Sequence, residues 1–166
     1  MNRQKAFTLI ELIVVIAIIA ILSAIVLVGV TGYIAKAKNT KRNSDIKAYV
    51  DAFAMYALEN GVYPPAQIMD QCCLGNYDEP DCWTITAPRC DAINAEIQPY
   101  LPSLPADKQV IGELEYRGYY FLFDADGGVP QYHICWALEG DNQPCGIGYQ
   151  NGGDNGVTSC EYRIEI

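Results

Sequence analysis

Residues 5–30 read KAFTLIELIVVIAIIAILSAIVLVGV. The 19 residues from Leu12 to Val30 contain no charged side chain, and Ser23 carries the only polar one. At about 1.5 Å per residue, a helix of this length matches the roughly 30 Å hydrocarbon core of a bilayer. The run exceeds the roughly 7–15 apolar residues of a cleaved secretory signal, although Ala35-Lys36-Ala37 offers a small-x-small cleavage pattern. The stretch therefore predicts one membrane-spanning helix.

Charge and cysteine divide the 166-residue chain into two parts. Residues 1–43 hold six basic residues and one acid, a net +5, whereas 44–166 hold five basic residues and 19 acids, a net −14. All seven cysteines lie in the second part. Its acidity argues against nucleic-acid binding, which needs clustered positive charge. Its cysteines favour an exported compartment.

Glu11 lies at the edge of the apolar run. An acid at the centre of a membrane helix costs about 2.5–3.5 kcal/mol on insertion scales, and less near an end. Such a residue is a candidate functional group, with a side chain that faces water at the interface as the plainer alternative.

A short basic leader, then Phe7-Thr8-Leu9-Ile10-Glu11 and an immediate long apolar run, resembles the start of type IV pilins and type II secretion pseudopilins. The resemblance implies cleavage by a prepilin peptidase between Ala6 and Phe7, N-methylation of Phe7, and retention of Glu11 for assembly. The family usually has Gly before the cut, and this chain has Ala6. The close match covers about residues 3–30.

The resemblance also implies an architecture. Residues 1–6 would be the leader, 7–30 the transmembrane and assembly helix, 31–61 a stalk helix, and 62–166 the head. The chain would cross the inner membrane once, with the head on the outer side, although the count of Lys and Arg alone would place the C-terminal side in the cytoplasm. The basic cluster at 36–42 would then lie near lipid headgroups or acidic neighbouring heads. Implied partners are other pilins, the peptidase, a platform membrane protein and a cytoplasmic ATPase.

Periodicity predicts the stalk and the head. Apolar residues at helical spacing mark one buried face of the stalk: Ile46, Tyr49, Val50, Phe53 and Ala57. Gly61 suits the helix end, and Pro64-Pro65 prevents continuation. An irregular 62–113 with a short helix at 91–98 precedes three strand signals at Leu114–Phe123, Gln131–Glu139 and Cys160–Ile166. We therefore expect an α+β, pilin-like fold in which a long N-terminal helix packs on a three-stranded antiparallel sheet.

Alternation assigns the faces of the last two strands. In the second, Tyr132, Ile134, Trp136 and Leu138 share the apolar face, which leaves His133 toward solvent. In the third, we expect one set to face inward: Cys160, Tyr162, Ile164 and Ile166. The other set should face water: Glu161, Arg163 and Glu165.

The head carries two kinds of candidate site. The cysteines contain no CxxC spacing and predict disulfides with at least one free thiol: Cys72, Cys73, Cys82, Cys90, Cys135, Cys145 and Cys160. Adjacent Cys72 and Cys73 should bond to different partners. Turn residues that could supply calcium oxygens, as the resemblance implies for major pseudopilins, include Asp124, Asp126, Asp141 and Asp154, although ordinary turn chemistry explains them as well. No cofactor is required.

Three functions fit these features. The first is a structural subunit of a type IV pilus-like or type II secretion-like fibre that polymerises through its N-terminal helix. The second is a minor pilin or binding protein whose head contacts a substrate or surface. The third is an anchored exported protein that never polymerises. No catalytic or nucleotide-binding motif is recognisable, so we predict no enzymatic activity.

Overall fold

A computed structural model describes residues 7–64, 70–77, 82–83, 87–126 and 129–165. The chain forms two compact units, Met1–Ala37 and Lys38–Ile166. Its elements are helices α1 (Leu9–Asn60) and α2 (Asp91–Ile97) and strands β1 (Asp70–Leu74), β2 (Tyr119–Asp126), β3 (Val129–Glu139), β4 (Tyr149–Gln150) and β5 (Val157–Glu165). The α+β class that the sequence predicts is confirmed.

Helix α1 ends where the sequence predicts. Gly61 follows the last helical residue with a φ of +73°, and its N–H donates to the carbonyl of Ala57 at 2.8 Å. A residue in the left-handed conformation at this position satisfies a terminal carbonyl, and glycine adopts it without a Cβ penalty.

The C-terminal part of α1, from Lys38 onward, packs on the sheet through the predicted face. Ile46, Tyr49 and Phe53 are fully buried. The ring of Phe53 stacks on Phe121 of β2, with centroids 6.0 Å apart and planes at 11°. These contacts place the main core between the helix and one face of the sheet.

The sheet is antiparallel and has five strands in the order β1-β2-β3-β5-β4, so the prediction of three strands is wrong in number. Strand β1 reads DQCCL and lies within a segment predicted to be irregular. It pairs with Tyr119–Phe123 and is held there by disulfides on both of its cysteines. Strand β4 has two residues and is too short to show a period. Pairing with neighbours, rather than local pattern, creates both edge strands.

The first predicted strand begins later than expected. Ile111 and Tyr116 exchange backbone hydrogen bonds at 2.7 and 3.0 Å, and positive φ angles at Gly112, Glu115 and Gly118 turn the chain. Residues 114–118 therefore belong to a turn, and β2 starts at Tyr119.

The inner face of the sheet is as predicted. The four apolar residues of β3 are buried in the main core, and Cys160 and Ile164 of β5 join them. Tyr162 is partly buried against the same core. Ile166 lies outside the described residues.

The outer face differs from the prediction, because Glu161 and His133 do not face water. Glu161 is 3% exposed and His133 is 7% exposed. Tyr149 and Asn151 cover Glu161 and donate hydrogen bonds to its carboxylate. Arg163 is exposed as predicted, and the side chain of Glu165 lies outside the described residues. Alternation along one strand cannot anticipate a cover that comes from the neighbouring strand β4 and the residue after it.

Three disulfides staple the head. They are Cys72–Cys90, Cys73–Cys82 and Cys145–Cys160, which close loops of 18, 9 and 15 residues. In the chain-entropy model each disulfide lowers the conformational entropy of the unfolded chain and so stabilises the folded head by roughly 3 kcal/mol. Adjacent Cys72 and Cys73 bond to different partners, as expected from the sequence. Cys135 keeps a free thiol. Burial, together with the nearby charge of Glu161, raises its pKa to about 12 and keeps it protonated.

Arg42 corrects the prediction for the basic cluster at 36–42. Its guanidinium is buried rather than turned toward lipid or a neighbouring head, since the residue is 2% exposed. It donates to the Asp107 carboxylate and, at 3.2 Å, to Glu139 Oε1. It also donates to Asn39 Oδ1 at 3.0 Å and to Gln109 Oε1 at 3.4 Å. Five donors in a fixed plane suit this set of acceptors, so Arg42 ties the helix to the head.

Candidate assembly segment

The N-terminus of α1 is built by a capping box. Thr8 immediately precedes the first helical residue, and Glu11 is the third residue of the helix. The Glu11 N–H donates to Thr8 Oγ1 at 3.3 Å, and the Thr8 N–H donates to Glu11 Oε2 at 2.9 Å. Each side chain therefore satisfies a backbone donor that the helix leaves unpaired.

The same pair fixes the Glu11 carboxylate. The Thr8 hydroxyl also donates to Oε2, at 2.7 Å, so both donors from Thr8 meet one carboxylate oxygen. An ionised carboxylate has about four acceptor positions, and Oε1 receives no donor from Thr8. Glu11 is thereby oriented while one oxygen stays available to a further donor.

The role of Thr8 as the capping partner of Glu11 was not predicted. The signal was present in the chain, because Thr8-Leu9-Ile10-Glu11 is the pattern of a capping box before an apolar run. Glu11 therefore has a structural role at the start of the helix in addition to its predicted role in assembly.

The structure describes only one of the two residues at the predicted processing site. Ala6 lies outside the described residues, and Phe7 is 77% exposed. Cleavage between them and methylation of Phe7 stay predictions.

The helix after Glu11 is apolar on all its sides. From Leu9 to Leu22 the large aliphatic side chains are 46–75% exposed. The Ser23 hydroxyl donates to the carbonyl of Ile19 at 2.7 Å, so this polar group is satisfied within the helix. A helix that is apolar all round buries itself in lipid or among other helices.

Among the described residues, no helix has the length and hydropathy needed to cross a membrane. The span at 7–30 stays a prediction.

The calcium candidates are distributed over the head. Asp124 Oδ1 lies 3.0 Å from His133 Nε2, and Asp141 Oδ1 accepts the Gly156 N–H at 2.9 Å. The backbone carbonyl of Asp154 accepts the Val157 N–H at 2.9 Å. The side chain of Asp126 is outside the described part of the chain. Within that part, no three His, Cys, Asp or Glu residues form a group that could hold a metal ion. Calcium binding stays a prediction.

Comparison with known proteins addresses the N-terminal motif directly. Residues 1–27 match the family described as the prokaryotic N-terminal methylation motif. The chain is also similar to curated proteins named type II secretion system core protein G. The protein of Pseudomonas aeruginosa is 45% identical over 66 residues, which is 40% of this chain and 46% of that protein. That of Klebsiella pneumoniae is 40% identical over 67 residues, which is 40% of this chain and 48% of that protein.

Both similarities support the type IV pilin and type II secretion pseudopilin family for the N-terminal part of the chain. The chain spans about half the length of the curated relatives that it matches. No solved structure matches it significantly. The family consists of structural fibre subunits rather than enzymes, in agreement with the prediction of no enzymatic activity.

Proposed function

We propose that this pilin-family chain is a structural subunit of a type II secretion-like fibre and polymerises through residues 7–30. One observation carries the proposal: a helix that exposes apolar side chains on all its sides begins at a capped, oriented carboxylate. Such a surface needs partners from outside the chain, and a bundle of identical helices supplies them.

The chemistry of assembly follows from the two charges at the N-terminus. Cleavage after Ala6 would leave an ammonium on Phe7, and an N-methylated amine still protonates near neutral pH. In a bundle of apolar helices this cation would be costly to bury alone, as would Glu11. Pairing the Phe7 ammonium of one subunit with the Glu11 carboxylate of a neighbour offsets both costs and fixes the axial register of the subunits.

The head supports an exported location. Three disulfides in one small unit are typical of proteins that fold outside the reducing cytoplasm. We therefore place the subunit in the inner membrane before assembly, with the head on the outer side and Arg3 and Lys5 on the cytoplasmic side. The prepilin peptidase, the platform membrane protein and the cytoplasmic ATPase are proposed partners. The names of the relatives favour a secretion pseudopilus over an adhesive pilus.

The test compares two acid-to-alanine variants in cells that contain the assembly machinery. Glu11→Ala removes the proposed charge partner, whereas Glu113→Ala removes an exposed acid of the head. Mass spectrometry of the N-terminus should show N-methylated Phe7 in the wild type. Sheared fibres should contain the wild type and Glu113→Ala, and the Glu11→Ala subunit should remain in the membrane fraction.

Two outcomes would redirect the assignment. A chain that still begins at Met1, in cells with active peptidase, would mean that Ala6 blocks processing, and an anchored protein would explain the data better. Processed subunits that occur only at trace level along the fibres would favour a minor pilin whose head contacts a substrate or surface.

A further inference from the structure

The head contains a cleft of about 490 Å³ on the side of α2. Three segments form its walls: the turn after β1, the helix α2 with Arg89 before it, and the loop that follows the helix. Its lining includes Asn76, Arg89, Asp91, Asn94, Gln98 and Ser103. The volume falls within the roughly 300–1,000 Å³ range of small-molecule sites.

The walls of the cleft are held rigidly. The Asn94 side chain donates to the Gly75 carbonyl at 3.2 Å and accepts the Gly75 N–H at 3.3 Å, which joins the helix to the turn. A Cβ at Gly75 would collide with the carbonyl oxygen of Pro105, so the turn lies directly against the loop. The Cys72–Cys90 disulfide fixes the residue that precedes α2. Rigid walls reduce the entropy lost when a ligand binds.

The cleft is polar and carries no net charge. Arg89 and Asp91 form an ion pair, with Nε 3.2 Å from Oδ1, so their charges offset each other. Asn76, Gln98 and Ser103 are exposed, and no hydrogen bond described for the head engages their side chains. These three groups, two planar amides and one hydroxyl, are free to bond a ligand.

We propose that this cleft binds a neutral saccharide. Planar amide, carboxylate and guanidinium groups each present two adjacent polar atoms, which match the two oxygens of a vicinal diol. A neutral polyol needs no charged partner, and the net charge of −14 over residues 44–166 repels anionic ligands. Pro102 and Leu104 add apolar contact for the faces of a sugar ring. No aromatic residue is among the described residues that line the cleft, so we expect a dissociation constant on the order of 1 mM.

The experiment uses the full chain in micelles of a detergent without a sugar headgroup. The probes are the methyl glycosides of glucose, galactose, mannose and N-acetylglucosamine, each titrated to about 50 mM and followed by the side-chain amide NMR signals. Glycerol controls for a general polyol effect, and triglycine amide tests a peptide ligand. At least one glycoside should give saturable shifts of the Asn76 and Gln98 amides. Gln98→Leu and Ser103→Ala should each weaken binding about fivefold.

Matched controls separate the site from general effects. Gln150→Leu and Ser44→Ala change an exposed glutamine and an exposed serine outside the cleft, and should bind like the wild type. All four positions are exposed, so the variants should keep the wild-type melting temperature.

Several results would overturn the proposal. They are no saturable shift with any glycoside, equal shifts with glycerol, unchanged binding by both cleft variants, or saturation by triglycine amide alone. The proposal is independent of fibre formation, because the titration needs only the folded head within the intact chain.

Discussion

The two parts of α1 share a backbone conformation and differ in what surrounds them. In residues 9–24 and 30–34, the large apolar side chains that the structure describes are exposed on every side of the helix. From residue 38 to residue 60 the buried apolar residues lie on one face, where Ile46, Tyr49 and Phe53 are fully buried, whereas Met55 and Leu58 are exposed. The one-sided apolar face of the second part packs against the sheet of the same chain. The first part is apolar on all its sides and needs a partner from outside the chain.

Because of this difference, the two parts of α1 contribute differently to the stability of the head and to contacts outside the chain. Each fully buried large side chain of the second part contributes about 1.5–3 kcal/mol to the folded head. The described side chains of the first part bury little surface, so they contribute little to the stability of the folded head. The free energy of burying them is available to a partner outside the chain, which in our proposal is the membrane or the fibre.

The largest expected effect on stability contrasts a residue of each part. Phe53→Ala removes a ring that packs on Phe121 and Tyr132, and should destabilise the head by about 3–5 kcal/mol. Ile13→Ala, in the exposed part, should change the unfolding of the head by less than about 0.5 kcal/mol. Urea unfolding of the intact protein in micelles measures both. Equal losses would show that the two parts do not differ as described.

The next effect concerns the buried carboxylate of the head. Burial alone would raise the pKa of Glu161, but hydrogen bonds from Tyr149, Arg163 and His133 outweigh it and lower the pKa below its usual value. A lowered pKa in the folded state stabilises the head above the unfolded-state pKa, and this contribution is lost as the pH falls through the folded-state value. Glu161→Gln should therefore cost about 1–3 kcal/mol at neutral pH and less at about pH 3.

The matched variant for that measurement is Glu113→Gln, which changes an exposed acid. Its unfolding free energy should track the wild type at both pH values. A Glu161→Gln deficit that stays constant or grows on acidification would contradict the assigned role of the carboxylate.

A smaller effect is expected at the first turn of α1. Thr8→Val removes the hydroxyl that accepts the Glu11 N–H and should cost the local helix about 1 kcal/mol. Amide hydrogen exchange over residues 12–15 should accelerate about fivefold, whereas Thr8→Ser should retain protection. Exchange that is unchanged in the valine variant would show that the capping box does not stabilise the helix. The unfolding of the head should be insensitive to either change.

The smallest effect is expected from calcium. The Asp141 carboxylate already accepts the Gly156 N–H, and the Cys145–Cys160 disulfide ties the same loop to β5. Adding calcium, or removing it with EDTA, should shift the melting temperature of the intact protein by less than about 2 °C. A saturable rise well above that would establish the calcium site that the sequence suggests.

Arg42 shows how charge counting can mislead. In the sequence it is one of four basic residues between 36 and 42, which together resemble a surface cluster. In the fold its guanidinium meets Asp107 and Glu139, which lie 65 and 97 residues further along the chain. No local pattern identifies such partners, because they are set by the packing of distant segments.

His133 and Glu161 show the same limit for strands. Period-two alternation placed them opposite the apolar face, and they do lie there, in adjacent strands with Nδ1 2.8 Å from Oε1. Alternation does not tell whether the second face of a sheet meets water. That depends on β4 and the residue after it, because Tyr149 and Asn151 close over the carboxylate.

Local features of the chain were sufficient for the N-terminal methylation motif, the long helix and its end at Gly61, and the inner faces of β3 and β5. Each depends on propensity, capping or periodicity within a few residues. The tertiary structure alone decided the edge strands, the disulfide pairing, the buried Arg42 and Glu161 networks, and the polar cleft beside α2. These depend on contacts between residues far apart in the chain, whose formation is decided by the packing of the whole head and leaves no short-range pattern in the sequence.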